Sequence, residues 1–431
     1  MARPVYRLVA VSAAAGALLA GGLTGARATE ARAAQPVGRY VIVLEDSARD
    51  RLEAVIRQHG RAYGVRAEFR YRDALVGYSA VVPESRVADL RAAEGVRTVA
   101  VDAPVRATQQ VLPTGVDRIQ ADASSTSAGN GTGEVNTAVA ILDTGIDDRH
   151  PDLNVAGGIN CVTTRPESWR DNNGHGTHVA GTVGARDNGD HVVGVAPGAR
   201  LYAVKVLGGG GWGRLSTIVC GLDWVTANAA GLGIKVANMS LGGDGSDDGN
   251  CGFTNGDPEH QAICRVVQAG VTVVVAAGND NDDLANHRPA AYDEVLTATA
   301  MADFNGQPGG GAAATCRDDV DETAADFSSF AVSEADAAHT IAGPGVCIES
   351  TRNRGGTTVF SGTSMASPHV AGAAALCLAG GQCTDPSPAG VAAKLRADAA
   401  APELVSYGFA GDPNAPVSGR YYGHLVHAGG Y

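Results

Sequence analysis

Four side chains set far apart in the chain could together break an acyl bond. Ser364 lies in Ser361-Gly-Thr-Ser364-Met-Ala-Ser-Pro-His369-Val-Ala-Gly372 and His175 in Asn173-Gly-His175-Gly-Thr-His178-Val-Ala-Gly181. Asp143 lies in Ala138-Val-Ala-Ile-Leu-Asp143-Thr-Gly145 and Asn279 in Val271-Thr-Val-Val-Val-Ala-Ala-Gly278-Asn279-Asp280. A serine hydroxyl is a weak nucleophile because its proton must leave as it attacks. A neutral imidazole can take that proton, and a buried carboxylate can fix the imidazole's tautomer and stabilise the imidazolium. A carboxamide is a neutral donor suited to the oxyanion that develops. Alone, each residue has an ordinary reading: Asp143 and Asn279 as turn residues, Ser364 as a helix cap. Together, in the order Asp, His, Ser, they point to one hydrolytic site. Zinc on His175 and His178 is the competing chemistry, but the metalloprotease pattern needs histidines at i and i+4 with a glutamate beside the first. Here the spacing is i, i+3 and Gly176 occupies the glutamate's place. His178 is therefore expected to make a structural hydrogen bond.

These residues need a frame that brings them together. The apolar run 138–142 reads as a buried parallel strand with Asp143 at its carboxyl end, where open α/β sheets place their sites. Residues 271–275 read as a central strand with Asn279 at its exit. His175 falls at a helix start. Ser364 opens an apolar, small-residue helix whose N-terminal partial charge favours an anion at the hydroxyl. Pro368 is expected in or next to the first turn of that helix, where a missing N–H is tolerable.

The 431-residue chain is 44% hydrophobic, which suffices for a large core and excludes a disordered acidic chain. Its glycines follow no period of three, which excludes collagen. A net charge of −13 without a long Lys/Arg run argues against nucleic-acid binding. Charge is unevenly divided: residues 1–108 carry 16 Arg against 11 Asp and Glu and net +5, and the remainder nets −18. Two pieces of opposite charge can attract each other. All eight cysteines lie in the second piece, with no CxxC spacing, so zinc ribbons and thioredoxin-type redox sites lose support and up to four disulfides gain it.

Residues 1–33 read as a secretory signal. Arg3 and Arg7 precede an apolar stretch over 8–23, and Ala26-Arg27-Ala28 or Ala31-Arg32-Ala33 offers a small-x-small cleavage site. A membrane anchor is the other reading, but the apolar run falls short of the usual length of about 20 residues. The expectation is a secreted protein with no membrane association once the signal is gone. Residues 34–108 read as a small α+β module. Strands fall at 40–44, 77–82 and 96–101, and helices carry Leu52, Val55, Ile56 and Tyr63, then Val87 and Leu90, the second opened by Pro83 and stopped at Gly95. The implied order is β-α-β-β-α-β, the split, ferredoxin-like motif.

Asp143-Thr-Gly-Ile-Asp, His175-Gly-Thr-His-Val-Ala-Gly and Gly362-Thr-Ser364-Met-Ala-Ser-Pro-His closely resemble the three signatures of subtilisin-like serine peptidases. The resemblance runs from about Leu112 to the C-terminus with insertions, and residues 38–108 resemble the inhibitor propeptide that precedes secreted members. It implies a doubly wound α/β fold with a mostly parallel sheet flanked by helices over 109–431, preceded by the small propeptide domain. It implies Asp143 as orienting group, His175 as general base and acid, and Ser364 as nucleophile, with Asn279 and the Ser364 N–H as oxyanion donors. Substrate would lie extended between Gly211, Trp212 and Gly213 on one edge and Ser240, Leu241, Gly242 and Gly243 on the other, with the first pocket beside Ala276 and Gly278. Backbone-based binding of this kind is sequence-tolerant and implies a broad-specificity endopeptidase acting on protein or peptide substrates.

Trp212, at a usually small position, is expected to narrow or cover the pocket for the fourth residue upstream of the cut. The loop after Asn279, Asp280-Asn-Asp-Asp-Leu-Ala-Asn-His287-Arg288, holds carboxylates that could favour a basic residue and an arginine that could neutralise them. The resemblance also implies a structural calcium ion held by side-chain oxygens of Gln110, Asp152 and Asn188 and by carbonyls of Arg186, Asp190 and Val192, a donor set suited to a hard cation. Asp190 stands where relatives often carry an apolar residue. Disulfide pairing does not follow from sequence. Cys251–Cys264 and Cys377–Cys383 are the simplest local pairs, with Cys316–Cys347 and Cys161–Cys220 left over. Insertions are expected over 244–264 and 305–340. By resemblance the mature chain starts near Gln109, residues 105–108 lie in the cleft after self-cleavage as a product-like inhibitor, and Thr108 fills the first pocket. No oligomerisation signal is visible, so a monomer is expected.

Overall fold

The computed structural model describes residues 36–103 and 110–431. The proposed signal and the linker segment 105–108 lie outside those residues. The chain divides into two compact units, one ending at Arg106 and the other running from Ala107 to Tyr431.

The first unit runs β1 (Val37–Leu44), α1 (Leu52–Tyr63), β2 (Arg66–Tyr71), β3 (Gly77–Pro83), α2 (Val87–Arg91) and β4 (Val96–Val101). This is the expected β-α-β-β-α-β order, in an antiparallel sheet ordered β2-β3-β1-β4. Alternate residues of β1, Ile42 and Leu44, point into a core shared with Leu52 and Ile56, which lie four apart on one face of α1. Pro83 ends β3 rather than opening the second helix: it fixes an extended exit, a 3-10 turn follows over Glu84–Arg86, and α2 starts at Val87.

The second unit follows with α3 (Thr114–Arg118), β5 (Ala138–Asp143), β6 (Val155–Asn160), α4 (His175–Gly184), β7 (Arg200–Lys205), α5 (Leu215–Leu232) and β8 (Ile234–Met239). Then come β9 (Gly243–Asp244), α6 (Pro258–Gln268), β10 (Thr272–Ala276), β11 (His287–Arg288), β12 (Leu296–Ala302), β13 (Thr323–Ala324) and α7 (Glu334–Ala337). β14 (Thr340–Pro344), β15 (Ile348–Thr351), β16 (Thr357–Phe360), α8 (Thr363–Ala379) and α9 (Pro388–Ala399) complete it. The central sheet runs β12-β10-β8-β5-β7-β6 with β14 beside β12, all parallel, and only the two-residue β13 antiparallel.

Strand β5 explains why the sheet is covered on both faces. Val139 and Ile141 join the core beneath α4 and α8, while Ala138, Ala140 and Leu142 join a second core beneath α5 and α6. A strand buried on both sides must be apolar throughout, as this one is until Asp143. Strand order also reverses here: after β5 the chain passes to the outermost strand β6, returns to β7 beside β5, then crosses to β8 on the other side of β5. That switch opens a crevice at the strands' carboxyl ends. Helix α8 is buried from Met365 to Cys377 and apolar on every side, as a helix threading a core must be.

All four disulfides pair as named above: Cys161–Cys220, Cys251–Cys264, Cys316–Cys347 and Cys377–Cys383. Among the described residues no helix is long and apolar enough to cross a membrane.

One buried ion pair was not legible in the sequence. Arg118, wholly buried at the end of α3, grips both oxygens of Glu322 at 2.7 and 2.6 Å and reaches the carbonyl of Tyr407 at 2.5 Å. Asp303 lies 3.8 Å away, equally buried, and burial pushes its pKa up to about 7. Asp321 completes the acidic group. Removing the one cation leaves those carboxylates uncompensated, so Arg118→Met is expected to lose about 3–5 kcal/mol of stability in urea unfolding. An unchanged midpoint and slope would contradict this account.

Candidate active site

Asp143 ends β5 with its side chain wholly buried. Both its carboxylate oxygens lie 2.9 Å from His175 Nδ1, and Oδ1 also accepts the Thr144 N–H at 2.6 Å. That contact makes Nδ1 the donor and leaves Nε2 as the unprotonated nitrogen. His175 is the first residue of α4, and the helix can start against the strand end because residue 176 is glycine. A Cβ there would fall 2.2 Å from the carbonyl oxygen of Gly145 and 3.0 Å from Asp143 Cβ. Burial pulls the His175 pKa down, but the Asp143 carboxylate, by charge and by hydrogen bond, raises it by more, and it sits above the ordinary imidazole value.

Ser364 is the second residue of α8, where backbone N–H groups have no partner within the helix. Pro368 falls in the second turn, next to the first. A proline removes the N–H that would bond the carbonyl four residues back, here that of Ser364. The Ser240 hydroxyl takes this freed carbonyl at 2.8 Å, and Ser364 Oγ in turn donates to Ser240 O at 3.3 Å. The proline therefore costs no unsatisfied group and ties the serine-bearing helix to the exit of β8. Among the described residues no hydrogen bond joins Ser364 to His175. Such bonds commonly close only when substrate is bound.

The Asn279 carboxamide is oriented by Thr363. Asn279 Oδ1 accepts the Thr363 N–H at 2.8 Å and its hydroxyl at 3.0 Å. This assigns the amide and leaves Nδ2 as the available donor. Gly362, at φ 152°, makes the bend that brings this segment past Asn279.

The expected substrate positions collect around two adjoining cavities. Gly211, Trp212, Gly213, Ser240, Leu241 and Gly242 line one of about 280 Å³ together with His175. Leu241, Gly242, Gly243, Ala276 and Gly278 line another of about 300 Å³ together with Asn279 and Ser364. The two share Leu241 and Gly242, so imidazole and hydroxyl open onto one crevice. Trp212 stands 85% exposed at the lip of the first cavity, where it lines the opening.

The proposed metal ligands also converge. Asp152 is wholly buried, accepts Asn188 Nδ2 at 3.0 Å and the Val192 N–H at 3.2 Å, and burial pushes it up to about 6. Gln110 Nε2 sits against the carbonyls of Arg186 and Val192 at 2.8 and 3.2 Å. Asp190 turns its half-buried carboxylate back onto the His191 N–H at 2.9 Å. His178 makes the expected structural bond, Nε2 to Ile348 O at 2.9 Å, and burial holds it down at about 3, so it stays neutral.

Two supporting residues escaped sequence reasoning. Asp171 accepts the N–H groups of Asn173, Gly174 and Thr177 and the hydroxyls of Thr144 and Thr177, which locks the turn into α4. Its signal was present, as an acid just ahead of a helix start. Buried Lys205 donates to Thr144 O, to Asn172 Oδ1 at 2.9 Å and to Leu207 O at 3.0 Å. Only its place at the end of an apolar strand could have marked it.

Comparison with known proteins agrees with this geometry. Residues 134–406 match the model of the subtilase family. The chain is 36% identical over 317 residues to subtilisin E of Bacillus subtilis (strain 168), covering 73% of this chain and 72% of that protein. It is 40% identical over 273 residues to subtilisin DY of Bacillus licheniformis, covering 62% and 85%. Among solved structures, a cold adapted subtilisin-like serine proteinase matches with a TM-score of 0.53 and 26% identity, over 74% of this chain and 98% of that one. The sheet, the crevice and these matches agree: the chain belongs to the subtilase family and is a serine endopeptidase.

Proposed function

We propose that this is a secreted endopeptidase of broad specificity, made as a zymogen that cuts itself, with Asp143, His175 and Ser364 as its triad. The observation that carries the reading is a fully buried carboxylate on His175 Nδ1, in a crevice that also holds Ser364 and the free amide of Asn279. Ser364 Oγ attacks the peptide carbonyl carbon as its proton passes to His175 Nε2. The oxyanion is held by Asn279 Nδ2 and the Ser364 N–H at the start of α8. The C–N bond then breaks, with the proton passing from His175 to the leaving amine. Water, deprotonated by the same imidazole, releases the acyl group and restores the hydroxyl. Extended substrate lies between residues 211–213 and 240–243 and is read mainly through its backbone.

Casein hydrolysis is expected from the wild type and not from Ser364→Ala, with unchanged circular dichroism; equal activity in the two would remove the assignment. Asn279→Ala is expected to lose about 10²–10³-fold in kcat, a magnitude established for this donor on a subtilisin itself.

Activity requires neutral His175. Because Asp143 lifts its pKa above the ordinary value of about 6.5, kcat/KM should fall as pH drops through a midpoint above that value. A midpoint well below it would mean that the contact does not exist in solution.

The segment before Gln109 serves as an intramolecular inhibitor that the enzyme cuts from itself. The β-α-β-β-α-β unit ahead of it and the opposite net charges of the two pieces support this. A structural calcium ion fits Gln110, Asp152 and Asn188 with the carbonyls of Arg186, Asp190 and Val192. The donors would be oxygens once the Gln110 and Asn188 amides, which here present nitrogen, turn over, and Asp152 is a buried carboxylate with no ion pair among the described residues, a charge that a dication would balance. Chelator is expected to lower the melting temperature and added calcium to restore it; no shift would count against the ion.

A further inference from the structure

The cavity beside Ser364 and Asn279 has four charged or titratable side chains in its lining: Asp244, Asp280, His287 and Arg288. Two of these are already engaged. His287 Nε2 lies 2.6 Å from Asp282, which also accepts the Ser329 hydroxyl at 3.0 Å. Arg288 Nε lies 3.5 Å from the carboxylate of Glu259, which is only 1% exposed. The stem of Arg288 runs along Gly245, where a Cβ would fall 2.8 Å from Arg288 Cδ, so the chain leaves that side open for it. Asp244 and Asp280 have no side-chain hydrogen bond or ion pair among the described residues. Asp244 is held in place by the β9–β11 ribbon, which pairs it with His287.

The unmatched charge of the cavity is thus negative, because its one arginine is directed onto a buried glutamate. Apart from Asn279 and Ser364, the remaining wall is Leu241, Gly242, Gly243, Ala276, Gly278 and Thr363, mostly backbone and small groups. Such a wall suits the methylene stem of a long side chain whose charged end seeks carboxylates.

Resting on the peptidase reading above, we infer that this cavity receives the residue immediately before the scissile bond and that Asp244 and Asp280 make it favour lysine or arginine there. Discrimination comes from both signs. A cationic head gains two carboxylates, and a carboxylate head is repelled by them. A pair of unit charges about 4 Å apart in a partly solvated site is worth enough for roughly tenfold selectivity or more.

The test uses the mature enzyme and tetrapeptide p-nitroanilides that differ only in the last residue: Lys, Arg, Phe, Leu or Glu. The assay runs at about pH 8.5, above the value of about 7 to which burial pushes Glu259, so that Glu259 is ionised and holds Arg288. Lys and Arg substrates are expected to exceed Phe and Leu by about tenfold in kcat/KM, with Glu slowest. The double substitution Asp244→Asn with Asp280→Asn is expected to lower the Lys-to-Phe ratio by about tenfold, and 1 M salt to narrow it in the wild type. Phe or Leu cleaved as well as Lys and Arg, or a ratio unmoved by the double substitution, overturns the inference while leaving the peptidase reading intact. Cleavage of none of the five, or equal cleavage by Ser364→Ala, removes that reading as well.

Discussion

A full negative charge with no access to water has to be compensated where it stands, and in this fold that charge is Asp143. Stripping a carboxylate of its hydration costs several kcal/mol unless donors replace it. The replacements are the Thr144 N–H and the His175 imidazole, and supplying the second dictates much of the local architecture. Helix α4 has to begin against the end of β5. Residue 176 has to lack a side chain for that to happen, and Asp171 and Lys205 have to lock the intervening turn. The carboxylate's burial and the imidazole's basicity are two sides of one contact.

The opposite wall of the crevice is set by a second local accounting. Pro368 deprives the Ser364 carbonyl of its helical partner, and the Ser240 hydroxyl replaces it. Ser240 also accepts Asn238 Nδ2, and Asn238 accepts the Ser367 hydroxyl, so β8 and α8 are joined by a short buried polar chain. Thr363 performs the same service toward β10 by fixing the Asn279 amide. Thr363, Ser364 and Ser367 of one helix thus bond to the carboxyl ends and exits of two different strands. The serine is placed by several independent contacts, as a preorganised site requires.

Much of this was legible from sequence because the chemistry is carried by short, local patterns. Apolar runs ending in Asp143 and in Ala-Ala-Gly278-Asn279 mark the strand exits, and small residues after His175 and Ser364 mark helices that must pack closely. The split motif of the first unit was readable from periodicity, although β2 was not singled out, since Arg66–Tyr71 is largely exposed and polar. The misses have a common cause. Arg118 with Glu322, Lys205 with Asn172, and the position of Pro368 relative to Ser240 depend on residues far apart in sequence, and no local pattern reports such partners. The turn from Gly208 to Gly213 closes on its own backbone and leaves the Trp212 ring exposed at the lip of the crevice.

The cysteines carry one more implication. All eight pair among themselves between Cys161 and Cys383, so no sulfur bridge reaches back to the first unit. The two units share a single strand of main chain. One hydrolysed bond in the stretch between them would yield two separate molecules, which only non-covalent affinity could then hold together. Dilution, or digestion of the smaller fragment, would then make their separation a one-way event.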